Sequence, residues 1–256
     1  SSRSILFNLR GKKIFSSQYE FKQVFPNSGW VEHNPEEIWR VTLKTIKESI
    51  KKSKSIKANI VSIGIANQRE TTILWDKKTG KPVYNAIVWQ DRRTQNICKN
   101  LKKRKLEKSF RKKTGLFIDP YFSATKVKWI FDNVSATKKL HKDKRLMFGT
   151  IDTFLIWRLT NKKNHLTDAT NASRTLMFNI NTNKWDNEIL RRLNIPKSIL
   201  PEVKNSADYF GKTSKKIVGE EIPINAVLGD QQAAAVGQAC FDKGSVKSTY
   251  GTGAFV

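Results

Sequence analysis

Ala226-Val227-Leu228-Gly229-Asp230-Gln231-Gln232-Ala233 decides the fold: three apolar residues, a glycine, three polar residues, then the alanine-rich run to Cys240. The apolar run predicts a buried strand over 226–228, the next four residues a turn, and 233–240 a helix. In an open α/β sheet the carboxyl end of such a strand is where ligands bind, and a carboxylate there sits at the favourable end of the helix dipole. Asp230 can therefore accept a proton from a substrate hydroxyl, or act only as the helix N-cap. Downstream, Ser245–Tyr250 reads as a strand entering Gly251-Thr252-Gly253. Two glycines around a threonine let the backbone approach a phosphate, or simply make a turn. Neither the Walker loop nor the dinucleotide fingerprint is present.

Upstream, residues 4–8 and 13–21 alternate as a hairpin around Arg10-Gly11-Lys12. Asn34-Pro35-Glu36-Glu37 starts a helix that runs to about Lys52, with Asn34 as cap and Pro35 at the first helical position. Val61–Ala66 is a continuous apolar run suited to a strand covered on both faces. Shorter strands are expected at 71–75 and 86–89, and helices at 91–103, 123–134, 150–160 and 189–193. Strands mixed with helices give an α/β or α+β fold.

The chain has 256 residues and a net charge of +26, from 48 Lys and Arg against 22 Asp and Glu, while 38% hydrophobic residues suffice for a core. This excludes a disordered polyelectrolyte. Two distant cysteines, Cys98 and Cys240, make no disulfide framework and point to a reducing, cytoplasmic setting. No stretch approaches the roughly 20 apolar residues of a membrane span, so no stable membrane insertion is expected. The charge suggests nucleic acid, yet Lys supplies 35 of the basic residues and is spread in doublets such as Lys51-Lys52 and Lys162-Lys163. With 23 Ile and 19 Asn, this is the composition of A/T-rich coding sequence. No nucleic-acid motif accompanies the charge, so no nucleic-acid partner is expected; a basic binding module is the reading from a different class.

Between two predicted strands, Asn67-Gln68-Arg69-Glu70-Thr71-Thr72 sets a cation beside a carboxylate, a pair able to serve several hydroxyls of a small polyol, or a surface ion pair. Trp89 ends a short strand and suits either a pocket wall or the core. His33, His141 and His165 have no metal spacing, and neither a Ser-His-Asp nor a Cys-His arrangement is evident.

Taken together these segments resemble the glycerol kinases of the FGGY carbohydrate kinase family. The resemblance covers essentially the whole chain. It includes Gly29–Pro35, Asn67–Thr72, Tyr84–Gln90, Thr114–Leu116, Asp119–Ser123, Asp168–Arg174, Gly229–Gln232 and Thr249–Phe255. It implies an actin-like, ribonuclease H-like fold, a mixed sheet flanked by helices, with residues 1–256 forming the family's N-terminal, glycerol-binding domain. It also implies phosphorylation of glycerol to sn-glycerol 3-phosphate, with ATP as donor and Mg²⁺ as cofactor, by a homo-dimer or homo-tetramer. Arg69, Glu70, Tyr121, Asp230 and Gln231 would bind the glycerol hydroxyls, while Trp89 and Phe255 pack on its carbons. Asp230 would be the general base. Ser1, Arg3, Gly251, Thr252 and Gly253 would touch nucleotide phosphates, and no metal contact is assigned beyond a water-mediated one at Asp230. Another sugar kinase of the same family is the nearest rival, and a non-catalytic scaffold a further one.

Two departures stand out. The family's Asp-x-Gly-Thr-Thr phosphate loop would precede Ser1, and its nucleotide-binding domain would follow Val256, so this chain reads as an internal fragment. The segment Thr213–Glu221 ends in acids where members inhibited by fructose 1,6-bisphosphate carry a glycine-rich loop with an arginine. Purified residues 1–256 are expected to show no ATP- and glycerol-dependent rate above a no-protein control. They are also expected to bind duplex DNA only weakly, without the salt slope near −0.9 per phosphate that a dedicated interface gives.

Overall fold

The computed structural model describes residues 1–250 and 254–256. The chain opens on an antiparallel hairpin, β1 (Ser2–Phe7) and β2 (Lys13–Tyr19), followed by β3 (Gln23–Val24) and β4 (Glu32–His33). Next comes α1 (Pro35–Ser55), then β5 (Ile63–Asn67), β6 (Ile73–Asp76) and β7 (Ala86–Ile87). A helical stretch follows: α2 (Gln95–Lys103), α3 (Glu107–Thr114), α4 (Ser123–Asn133) and α5 (Ala136–Lys142). β8 (Leu146–Gly149), α6 (Ile151–Leu159), β9 (Leu166–Asp168) and α7 (Ala169–Ser173) lead to the small hairpin β10 (Phe178–Asn179) and β11 (Lys184–Trp185). The rest is α8 (Asn187–Leu193), β12 (Glu202–Lys204), α9 (Lys215–Val218), β13 (Ile224–Gly229), α10 (Asp230–Gly237), β14 (Thr249–Tyr250) and β15 (Ala254–Phe255).

α1 forms where the caps direct it. Asn34 Oδ1 accepts from the Glu36 amide at 2.9 Å, Pro35 holds the first turn, and Lys52 and Lys54 face the negative end of the dipole. Ile38, Val41, Thr45, Ile50 and Ser53 recur at helical spacing and are buried. Against the hairpin the helix uses polar contacts: Ser49 Oγ lies 2.8 Å from Ser4 Oγ, and Tyr19 donates to Glu48 at 2.7 Å. α6 is apolar almost all round and is buried on all sides, packing Phe154 and Trp157 against Trp75 of β6.

The pairings that place the site are parallel. β13 runs alongside β5, with Leu228 opposite Ala66 and Gly229 opposite Asn67, and β12 runs alongside β9. Antiparallel ladders join β6 to β8 and β3 through β4 to β7. The expected mixture of parallel and antiparallel strands flanked by helices is present, as short ladders.

Several boundaries differ from the sequence expectation. The helix expected from Asp91 begins at Gln95, because the Asp91 carboxylate is engaged by the Val31 amide at 2.7 Å and by Arg93. α3 and α5 were not expected; both are lysine-rich and show little apolar stripe. β5 is not covered on both faces, since Gly64 and Ala66 are exposed while Ile63 and Ile65 turn inward. α10 starts at Asp230 itself, so Asp230–Gln232 form its first turn rather than a separate one. The strand expected from Ser245 is limited to Thr249–Tyr250.

At the end of β6, Asp76 is buried and receives Arg145 at 3.0 and 2.5 Å as well as the Lys78 amide and the Thr79 hydroxyl. Burial alone raises this carboxyl, but these donors outweigh it and hold Asp76 well below the usual carboxylate range. A depressed carboxyl stabilises above its unfolded pKa and loses that contribution as pH falls. Asp76→Asn is expected to cost about 1–3 kcal/mol in urea unfolding at pH 7. The difference from wild type should shrink below about pH 4; a deficit that persists at acid pH would contradict the ion pair's role.

Candidate active site

The parallel register brings together residues 160 positions apart. β5 ends at Asn67 and passes into the loop carrying Arg69 and Glu70, while its partner β13 ends at Gly229 and passes directly into α10 with Asp230 leading. Both carboxyl ends face the same way, the position at which open α/β sheets bind ligands. Gly229 makes the crossing possible: a Cβ there would lie 2.5 Å from Arg69 Cδ, 2.6 Å from Cγ and 2.9 Å from Gln232 Oε1. Gly229 is the N-cap of α10, so Asp230 is not the cap; its Oδ1 accepts from the Gln231 amide at 2.9 Å.

Arg69 and Glu70 are not a surface pair. They are 7% and 1% exposed. Arg69 Nε lies 3.1 Å from Asp230 Oδ1, an ionic contact without hydrogen-bond alignment, and 3.9 Å from Glu70 Oε1; Nη1 donates to Gln232 at 3.1 Å. Asp230 remains 45% exposed, which leaves a carboxylate edge for a ligand. Burial pushes the Glu70 carboxyl up, opposed by Arg69, Arg174 and Lys126. Its φ of 60° is left-handed, an uncommon backbone for glutamate.

Beside these charges stands an aromatic wall. The Trp89 ring is 5.5 Å from that of Tyr121 and 6.1 Å from that of Phe255. All three are half-buried. Burial and the nearby Glu70 raise the Tyr121 hydroxyl above its ordinary value, so it is a neutral donor at working pH. Gln231 is engaged by Lys247, whose Nζ donates to Oε1 at 2.5 Å.

Under the site lies a buried polar mesh that joins the ends of β5, β9 and β13. Asn67 and Asn171 exchange amide hydrogen bonds at 2.9 and 3.1 Å. Asp168 caps α7 and accepts from Thr170 Oγ1 at 2.6 Å, and that oxygen accepts from the Gly229 amide at 2.8 Å. Asp152, fully buried, accepts from Thr150 and Thr167 and is pushed up to about 7 by burial and by Asp168.

Of the residues expected from sequence, Arg69, Glu70, Trp89, Tyr121, Asp230 and Phe255 converge, and Gln231 adjoins them. Ser1 and Arg3 stand at the start of the β1–β2 hairpin: Ser1 meets Gln18 and Glu20, Arg3 pairs with Gln18, and among the described residues no hydrogen bond or ion pair links either to Asp230. Gly251, Thr252 and Gly253 lie outside the described residues. Arg174, Gln232 and Lys126 belong to the site region without a role assigned from sequence, although Arg174 ends the quoted Asp168–Arg174 run. A broad cavity of about 560 Å³ lies elsewhere, between the start of α1 and the turn at Thr79–Asn85, and gathers no catalytic set.

The profile of the FGGY family of carbohydrate kinases, N-terminal domain, matches residues 1–237. The chain belongs to this family. It is 55% identical over 256 residues to the glycerol kinase of Marinomonas sp. (strain MWYL1), covering 100% of this chain and 52% of that protein. It is 56% identical over 258 residues to that of Staphylococcus epidermidis (strain ATCC 12228 / FDA PCI 1200), again 100% and 52%. The glycerol kinase of Plasmodium falciparum, solved with ADP, superposes with a TM-score of 0.94 at 40% identity, over 98% of this chain and 51% of that one. A gluconate kinase from Lactobacillus acidophilus, at 22% identity and TM-score 0.80, shares the fold. The chain thus spans about half the length of the curated relatives it matches.

Gly229→Ala is expected to leave the fold intact while driving the Arg69 side chain off Asp230. A crystal structure of the variant should show that contact lengthened well beyond 3.1 Å; an unmoved guanidinium would contradict the steric argument.

Proposed function

We propose that residues 1–256 are the glycerol-binding, N-terminal domain of an ATP-dependent glycerol kinase that forms sn-glycerol 3-phosphate. The observation that carries this reading is the Arg69–Asp230 contact at 3.1 Å with Glu70 beside it and an aromatic wall opposite. A three-carbon polyol presents hydroxyls on one edge and C–H bonds on the other. Arg69 donates to hydroxyl oxygens, Glu70 accepts from a hydroxyl proton, and Tyr121 and Gln231 complete the polar side. Trp89 and Phe255 cover the carbons and exclude water.

Asp230 is the general base. The terminal hydroxyl gives its proton to the Asp230 carboxylate as its oxygen bonds to the γ-phosphorus of ATP; the bond from that phosphorus to the β,γ-bridging oxygen breaks, and ADP leaves. Holding the attacking oxygen in line supplies much of the rate, as in phosphoryl transfer generally. Gly251, Thr252 and Gly253 are proposed to meet the nucleotide phosphates through backbone N–H groups and a hydroxyl. Among the described residues no group of three or more His, Cys, Asp and Glu side chains could hold a metal ion. Mg²⁺, which kinases hold through one or two carboxylates, water and the substrate phosphates, would meet this chain through water at Asp230 and would supply charge neutralisation at the transferring phosphoryl group.

The proposed setting is cytoplasmic, and the proposed assembly a homo-dimer or homo-tetramer. No helix among the described residues is long and apolar enough to cross a membrane. Identities of 53–56% to glycerol kinases favour glycerol over the sugars of the wider family.

The complete protein carrying these residues, assayed with ATP against glycerol, xylulose and gluconate, is expected to phosphorylate glycerol with the highest kcat/KM. Asp230→Asn should lower kcat by about 10²–10⁴-fold, the usual worth of a general base. Preference for xylulose or gluconate would move the chain to another branch of the family, and an active Asp230→Asn would remove the base assignment.

A further inference from the structure

Of the residues set to meet the polyol, Glu70 is the most deeply buried charge, and a buried carboxylate is tolerated only when paired and hydrogen-bonded. Its chain neighbour does not meet that need: Arg69 Nε is 3.9 Å from Glu70 Oε1 and is turned to Asp230, with Nη1 given to Gln232. Lys126, fully buried in α4, spends its Nζ on the Tyr121 carbonyl at 2.6 Å. The bond comes from Arg174, just past α7, whose Nε donates to Glu70 Oε1 at 2.7 Å. Among the described residues no other side chain donates to this carboxylate, and none donates to Oε2. The same guanidinium lies over the Tyr121 and Phe122 rings, 5.7 and 5.0 Å from their centroids.

We propose that Arg174 is a positioning residue of the polyol site, occupying Glu70 Oε1 so that Oε2 is held ready to accept a substrate hydroxyl, and bracing the Tyr121 ring beside it. The proposal rests on the polyol reading above and adds a residue that reading does not use. Its action is on binding: the Glu70 bond to substrate is made in the ground state and kept in the transition state, so its loss raises KM more than it lowers kcat.

A pH signature follows. Glu70 accepts most strongly as a carboxylate, and protonation weakens it as an acceptor and turns one oxygen into a donor. The groups facing it are Arg69 from its own loop, Arg174 after α7, Lys126 from α4, Tyr121 before α4 and Asp230 of α10. Burial raises Glu70, and Arg69, Arg174 and Lys126 lower it. Removing Arg174 lets burial prevail further, so the acid limb of kcat/KM moves to higher pH.

The test is steady-state kinetics of the complete protein, wild type, Arg174→Gln and Arg174→Lys, with glycerol varied at saturating ATP across the pH range. Arg174→Gln should raise KM for glycerol roughly 10- to 100-fold, the worth of a hydrogen bond to a charged group, with kcat much less affected. Its acid limb should shift upward, and Arg174→Lys should recover part of the KM, since an ammonium still donates to Oε1. Thermal unfolding of each variant separates these effects from a damaged fold, which lowers active concentration without moving KM or the pH limb. An unchanged KM, a fall in kcat alone, an acid limb that stays in place, or a lysine variant no better than glutamine would overturn the proposal. A wild-type protein inert toward glycerol overturns the polyol reading, and this proposal with it, and is recognised before any variant is made.

Discussion

The site depends on one constraint: β13 lies parallel to β5 in the register that sets Gly229 opposite Asn67. Shifting a strand by one residue turns every side chain to the other face. Here such a slip would also part Arg69 from Asp230, because each sits immediately beyond its strand end. The register is held from below by the Asn67–Asn171 amide pair and by the Thr170 hydroxyl on the Gly229 amide. These are buried hydrogen bonds whose loss leaves polar groups unpaired, and they tie three strand ends to one geometry.

On that platform the charges are paired with one another beside the aromatic rings. Arg69 is shared between Asp230 and Gln232, Glu70 is held by Arg174, and the aromatic rings close the far side. A small polyol can replace water at each of these groups without bringing a charge of its own. The surplus of +26 plays no part in this arrangement. Most lysines lie on exposed positions, while the buried cations Arg93 and Lys126 are each tied to a partner: Arg93 to Glu32 and Asp91, Lys126 to a backbone carbonyl.

Much of this was legible from residue order. Asn34-Pro35-Glu36-Glu37 fixes the start of α1 because capping is local, and Ala226–Leu228 reads as a strand because its apolar run is bounded by a glycine. What stayed hidden was long-range. Arg69-Glu70 looks like any exposed pair until β13 and α4 cover it, and Arg174 shows no link to Glu70 across 104 positions of sequence. Asp91 misleads for the same reason: its carboxylate is claimed by Val31, 60 positions away, so it cannot open the helix. Ser1 and Arg3 were assigned by resemblance alone, and they stand at the start of the β1–β2 hairpin.

The central claim is that Arg69, Glu70 and Asp230, joined across the β5–β13 register, hold a polyol. A crystal structure of the complete protein with glycerol bound tests it most directly. The account predicts glycerol hydroxyl oxygens within hydrogen-bond distance of Arg69, Glu70 and Asp230, with its carbons against Trp89 and Phe255. Glycerol seated away from these residues, or bound with its hydroxyls turned toward the aromatic wall, would contradict it.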